Sequence, residues 1–163
     1  MILEQIAAKT RIRVEKCKSQ KPLDVLKQEA LARKNEKPFL FENALKGHEI
    51  SFICEVKKAS PSKGVIAHDF PYLDIARDYE KAGASAISVL TEPEFFMGSD
   101  KYLREIADAV RIPVLRKDFT VDEYQIYEAA VLGASAVLLI CALLSADEIR
   151  HFRQIADKLG LSC

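Results

Sequence analysis

The sequence predicts an α/β fold with a parallel sheet, laid out as one half of a closed barrel. Three observations lead there. First, four short apolar runs at 52–57, 85–90, 112–117 and 135–140 alternate with helical patterns. That order yields parallel strands, covered on both faces and joined by right-handed crossovers. Second, Gly83-Ala84-Ser85-Ala86-Ile87-Ser88-Val89-Leu90 recurs as Gly133-Ala134-Ser135-Ala136-Val137-Leu138-Leu139-Ile140, an offset of 50 residues, and Ile106-Ala107-Asp108 recurs as Ile155-Ala156-Asp157. A fixed period of this kind marks a repeated architecture, here two strand–helix units per period. Third, Leu159-Gly160-Leu161-Ser162-Cys163 stands where the repeat calls for a fifth strand.

The elements follow in order. Leu3, Ile6, Ala7, Thr10, Val14 and Cys17 share one face of an opening helix. A second helix is expected over 23–33, a polar loop over 34–38, and a short helix over 39–45. Residues 1–48 thus read as a helical extension, and 49–163 as the α/β body. Within the body, Tyr72, Ile75, Ala76 and Tyr79 share a helix face, as do Leu103, Ile106, Ala107 and Val110, and then Ile149, Phe152, Ala156 and Leu159. Pro71 suits a helix start. Thr120 with Glu123 and Ser145 with Glu148 have capping-box spacing. Gly83, Gly133 and Gly160 follow helices, where a left-handed residue is wanted.

Composition narrows the function. The 163 residues are 49% hydrophobic and 29% charged, as expected of one soluble globular domain. Lys plus Arg (24) balances Asp plus Glu (24). Residues 1–50 carry 11 basic and 7 acidic side chains, a mild tilt that ordinary solvated helix faces explain. No basic stripe with interleaved aromatics supports nucleic-acid binding. Cys17, Cys54, Cys141 and Cys163 form no Cys-x-x-Cys pair, and His48, His68 and His151 lack metal-ligand spacing. No signal peptide or membrane span is evident. The expectation is a cytoplasmic protein without disulfides or a metal site.

The chemistry concentrates in Phe52-Ile53-Cys54-Glu55-Val56-Lys57-Lys58-Ala59-Ser60-Pro61-Ser62-Lys63-Gly64. An apolar strand acquires an acid and a base, then breaks into a small polar loop. Period-2 alternation puts Ile53, Glu55 and Lys57 on one face. Charges are seldom buried unless paired or functional, and parallel α/β proteins keep their chemistry at the carboxyl ends of the strands. Taken alone, a structural Glu55–Lys57 ion pair and a generic Ser-Pro turn remain open alternatives.

With these landmarks the chain closely resembles the indole-3-glycerol phosphate synthase family. The match rests on residues 52–66, then on Ser88-Val89-Leu90-Thr91-Glu92, Phe96-x-Gly98-Ser99, Leu115-x-Lys117-Asp118-Phe119 and Tyr124-Gln125-Ile126. The resemblance implies a TIM (β/α)8 barrel with a helical extension, of which the first four βα units stand here. It implies a cofactor-free lyase of tryptophan biosynthesis acting on 1-(2-carboxyphenylamino)-1-deoxyribulose 5-phosphate, which loses carbon dioxide and water. It also implies roles. Lys117 is the general acid, Lys57 anchors the substrate carboxylate, and Glu55 orients the lysines and handles protons. Ser60 hydrogen-bonds substrate oxygens, Phe96 stacks on the anthranilate ring with Phe95 as the core residue or the two with roles exchanged, and Leu139 and Ile140 line an apolar wall. The family's general-base glutamate, its asparagine–arginine segment and its phosphate-binding loops fall on later strands, so this chain alone is expected to be inactive. Two other readings stay open. One is a half-barrel that self-associates, or pairs with a separate C-terminal half, through uncovered strand edges. The other is a different sugar-phosphate barrel enzyme, because a fold does not fix a function.

Overall fold

The computed structural model describes residues 1–33, 35–47 and 50–163. Lys34 of the expected 34–38 loop, His48, and the expected boundary between residues 48 and 49 lie outside the described residues. Three helices come first: α1 (Ile2–Gln20), α2 (Leu23–Ala32) and α3 (Leu40–Ala44). The body follows as β1 (Ile53–Val56), a small hairpin of β2 (Ala59–Ser60) and β3 (Gly64–Val65), α4 (Tyr72–Lys81), β4 (Ala86–Leu90), α5 (Asp100–Ala109), β5 (Val114–Lys117), α6 (Tyr124–Leu132), β6 (Ala136–Val137) and α7 (Ala146–Leu159).

The main sheet runs β1-β4-β5-β6, parallel throughout, so each βα unit adds its strand beside the last. This stepwise order is that of a barrel wall, in contrast to a doubly wound sheet, whose order reverses. The expected fifth strand begins at Ser162, which bridges Ala136 in parallel. Its N–H donates to Ser135 O and its carbonyl accepts from Val137 N, both at 3.0 Å.

The register assigns the faces. Glu55 pairs with Ser88, Ser88 with Leu115, and Leu115 with Ala136, a layer on the inner face. Leu90 beside Lys117 forms the layer nearer the carboxyl ends. The opposite face turns Val56, Ile87, Val89, Val114 and Val137 into the core beneath the helices, where Leu103, Ile106 and Ile126 are wholly buried. Removing such a side chain by Leu103→Ala costs about 2–5 kcal/mol.

The helix ends explain the 50-residue repeat. Gly83 and Gly133 adopt φ of 90° and 93°, where a side chain is strained. The next N–H, of Ala84 or Ala134, then reaches back 3.0 Å to Tyr79 O or Ala129 O, closing the helix and launching the next strand. The Ser145–Glu148 capping box forms as expected, with Ser145 N donating to Glu148 Oε2 at 2.7 Å and Glu148 N to Ser145 Oγ at 3.2 Å.

Three expectations need correction. The Thr120–Glu123 box does not form. Glu123 has helical dihedrals at the N-cap of α6, and Asp122 Oδ1 takes the Tyr124 N–H at 2.9 Å instead. The strand expected over 135–140 is limited to Ala136–Val137, because its outer neighbour supplies a single bridge. The Ser-Pro turn is part of an antiparallel hairpin in which Ser60 pairs with Gly64.

The N-terminal helices brace both ends of this wall. At the carboxyl rim, α1 sends Arg13 to Asp118 at 2.8 and 2.9 Å, Arg11 to Val121 O at 3.3 Å and Lys18 to Asp122 at 2.7 Å. At the other end α2 buries Leu26 and Ala30, and the following segment sends Asn35 Nδ2 to Leu159 O at 3.0 Å.

Candidate active site

Glu55 is the centre of the inner face at the carboxyl rim. Its Oε1 accepts from Lys57 Nζ at 2.6 Å, and its Oε2 from Lys117 Nζ at 2.8 Å. Ser88 Oγ donates to the same Oε2 at 3.2 Å. Lys57 is placed by strand alternation two residues beyond Glu55. Lys117 arrives from 62 positions away, reaching Glu55 from β5 across the intervening β4. All three charged side chains are about one-quarter to one-third exposed. Burial pushes the Glu55 carboxyl up, but hydrogen bonds from Lys117 and Lys57 outweigh it and hold the group below its ordinary value of 4.5. Both lysines retain ammonium hydrogens beyond those given to Glu55.

The other expected site residues surround this triad on separate loops. Ser60, half-buried in β2, accepts from Lys63 N at 3.3 Å through Oγ, which leaves its O–H to donate. Leu139, just past β6, packs against the core cluster. Phe96 lies in the β4–α5 loop with its ring 6.0 Å from that of Phe119, tilted by 39°. Phe95, expected in the core, is instead part-exposed like Phe96. Among the described residues no hydrogen bond joins Ser60, Phe96 or Leu139 to the triad; they belong to neighbouring βα units.

Sequence reasoning missed what holds Phe96. Glu92 is 2% exposed, and its carboxylate accepts three consecutive backbone donors: Glu94 N at 3.0 Å, Phe95 N at 2.7 Å and Phe96 N at 3.0 Å. Gly98 then closes the loop by donating to Glu92 O at 2.8 Å. A Cβ there would lie 2.4 Å from Leu90 O, so the close approach demands glycine. The usable signal was a Glu two residues past a strand and six before a Gly-Ser helix start. Phe119, two residues past Lys117, was also missed as the partner of Phe96.

Behind the inner face, Arg116 and Asp118 form a buried network. The Arg116 guanidinium donates to Thr91 Oγ1 at 3.2 Å, Gln125 O at 3.0 Å, Asp100 at 2.8 Å and Glu128 at 2.7 Å. Asp118 accepts from Thr91 Oγ1 at 2.7 Å and from Arg13. Burial pushes the Asp118 carboxyl up, but Arg116 and Arg13 hold it below its ordinary value. Among the described residues, no cluster of three or more His, Cys, Asp or Glu could hold a metal ion, and no helix is long and apolar enough to cross a membrane.

A parallel βα wall built strand by strand, with its inward charges gathered at the carboxyl rim, is the wall of a TIM barrel. The comparison with known sequences narrows this further: the family described as Indole-3-glycerol phosphate synthase matches residues 3–163, and the chain belongs to it. It is 62% identical over 163 residues to the indole-3-glycerol phosphate synthase of Ruminiclostridium cellulolyticum, covering 100% of this chain and 63% of that protein. It is 59% identical to the one from Endomicrobium trichonymphae, again over 100% and 63%. The Lacticaseibacillus paracasei synthase is 52% identical, over 99% and 62%. The chain therefore spans about 63% of the length of the curated relatives it matches.

Proposed function

We propose that these residues supply the acid and anion-anchoring part of an indole-3-glycerol phosphate synthase active site. The substrate is 1-(2-carboxyphenylamino)-1-deoxyribulose 5-phosphate. In this reading Lys117 donates a proton to the ribulose carbonyl oxygen as the aryl carbon closes on that centre. Lys57 holds the departing carboxylate by charge. Glu55 keeps the two ammonium groups aimed and takes part in proton transfer. Ser60 donates to a substrate oxygen, Phe96 stacks on the anthranilate ring, and Leu139 lines the apolar wall. The general base and most of the phosphate-binding loops belong to strands outside these 163 residues.

One observation carries the reading: a single carboxylate joins two lysines from different strands at the open rim. Ion pairs near the surface contribute about 0–1 kcal/mol, and these are only part-buried, so stability gives little reason for that arrangement, whereas anionic substrate chemistry does.

The test fuses residues 1–163 to the remaining C-terminal part of the Ruminiclostridium cellulolyticum synthase and assays ring closure by indole absorbance. The fusion is expected to turn over. Lys117→Ala should lower kcat by about 10²–10⁴-fold, the scale of a lost general acid. Full activity in that variant would overturn the assignment.

A second reading has its own support. Among the described residues β1 is paired on one side only, and Ile50, Phe52 and Ile53 are exposed beside its free edge. Such an edge favours pairing with further strands, from the rest of a barrel or from a second copy. Light scattering of residues 1–163 distinguishes them: a dimer supports self-pairing, and a monomer that binds the separately made C-terminal part supports barrel completion.

A further inference from the structure

Ser88 is the polar exception in its strand. The other side chains of Ala86–Leu90 are all apolar, and every residue of the strand is buried. Ser88 itself is 4% exposed and lies on the inner face between Glu55 and Leu115. A buried hydroxyl left without a partner costs roughly 1–3 kcal/mol. This one donates to Glu55 Oε2.

The geometry at Glu55 shows what that bond does. Oε1 is committed to Lys57, on the same strand and toward the mouth. Oε2 is shared by Lys117 and Ser88, from the two strands beyond. A glutamate has rotatable side-chain torsions, and Lys57 alone would let the carboxylate swing with it toward solvent. A hydroxyl fixed on a neighbouring strand opposes that swing at little entropic cost, since Ser has few torsions to order.

We propose that Ser88 is a positioning residue: it pins Glu55 Oε2 over the middle of the sheet, so that one carboxylate spans Lys57 and Lys117 and keeps their ammonium groups at separate stations. This rests on the reading of Glu55, Lys57 and Lys117 as the working group of the site. Ser88 contacts no substrate in this role; it acts through Glu55.

The hydroxyl favours the ionised carboxylate, so its loss should raise the pH at which Glu55 titrates. Among the described residues, the charged groups facing Glu55 are Lys57, just past its own strand, and Lys117 from β5. The experiment uses the 163-residue chain labelled with 13C at glutamate carboxyls, with the Glu55 signal assigned by Glu55→Gln. Its titration midpoint is compared in the parent chain, S88A, S88C and S88T. S88A and S88C should raise the midpoint by about one pH unit, the scale of one hydrogen bond to a charged group. S88T, which keeps the hydroxyl, should restore it. An unchanged midpoint in S88A, or one raised equally in S88T, overturns the proposal. If S88A does not fold, the similar-sized S88C against S88T decides on the same terms. A filled cavity or altered packing alone would not follow the hydroxyl in this way. Because no turnover is read, the result stands apart from the Lys117 assay, and either can fail without the other.

Discussion

Arg116 and Lys117 are consecutive on β5 and meet opposite surroundings. Arg116 points behind the sheet, where its side chain is 3% exposed, and its guanidinium is bonded to Thr91, Gln125, Asp100 and Glu128. Burial works against its charge, but Asp100, Glu128 and Asp118 outweigh that and raise its affinity for the proton further. Lys117 points to the inner face, is 36% exposed, and has Glu55 as its ion-pair partner. A cation surrounded by acceptors has nothing left to offer a substrate. A cation with ammonium hydrogens left over at an open rim does. Charge near a strand end is therefore a weak mark of chemistry; the informative property is the balance between donors and acceptors.

The largest effect that tests this contrast is on Arg116. Arg116→Leu strands Asp118, Glu128 and Asp100 without their shared cation, and should destabilise the chain by about 3–5 kcal/mol. Arg116→Lys should recover little, because an ammonium cannot reproduce the planar fork. Lys117→Ala should change stability by less than about 1 kcal/mol, as for other exposed pairs. Urea unfolding of the three variants measures this. Equal losses at positions 116 and 117 would erase the distinction between the two faces.

A smaller effect sharpens it at Glu92. This carboxylate is spent on three backbone donors, so it belongs with Arg116 although one of those donors is the N–H of Phe96, the proposed stacking residue. Glu92→Ala should cost about 1–3 kcal/mol. It should also speed amide hydrogen exchange at residues 94–96 while leaving that of β1 unchanged. Exchange that accelerates uniformly would mean that Glu92 supports the whole fold and has no particular hold on the Phe96 loop.

The inner face was readable because its signals are local. Alternation along β1 put Glu55 and Lys57 together, and the Gly-Ala-Ser-Ala repeat located β4 and β6. What brings Lys117 to Glu55 is register across three strands, and the pairings Glu55–Ser88 and Leu90–Lys117 leave no trace in the order of residues. The outer network was illegible for a related reason. Arg116 and Asp118 flank Lys117 in a charged triplet that resembles a solvated strand end, and its burial depends on α1 crossing the rim with Arg13. The Thr120 cap was misread because Gln125 and Asp122 satisfy the local N–H groups first, with Gln125 Oε1 taking Val121 N at 2.9 Å.

The smallest expected effect is on acid sensitivity, and it compares two of the lowered carboxyls, one buried and one at the rim. Asp118 and Glu55 both release protons more easily in the folded chain than their ordinary values of 3.8 and 4.5. At a pH between the folded and ordinary values the unfolded chain binds more protons, so stability rises with pH there. Each carboxyl's contribution is therefore complete above its ordinary value and is lost as pH falls through the lower folded one. The side chain of Asp118 is 1% exposed and lies against Arg13 and Arg116, whereas that of Glu55 is 27% exposed and screened by solvent. Urea midpoints of the parent chain, Asp118→Asn and Glu55→Gln, taken from pH 7 to pH 3, separate the two. Asp118→Asn should start lower and flatten most of the decline below about pH 4. Glu55→Gln should leave most of that decline in place. A flatter profile for Glu55→Gln than for Asp118→Asn would show that the rim carboxylate, and not the buried one, carries the folding free energy.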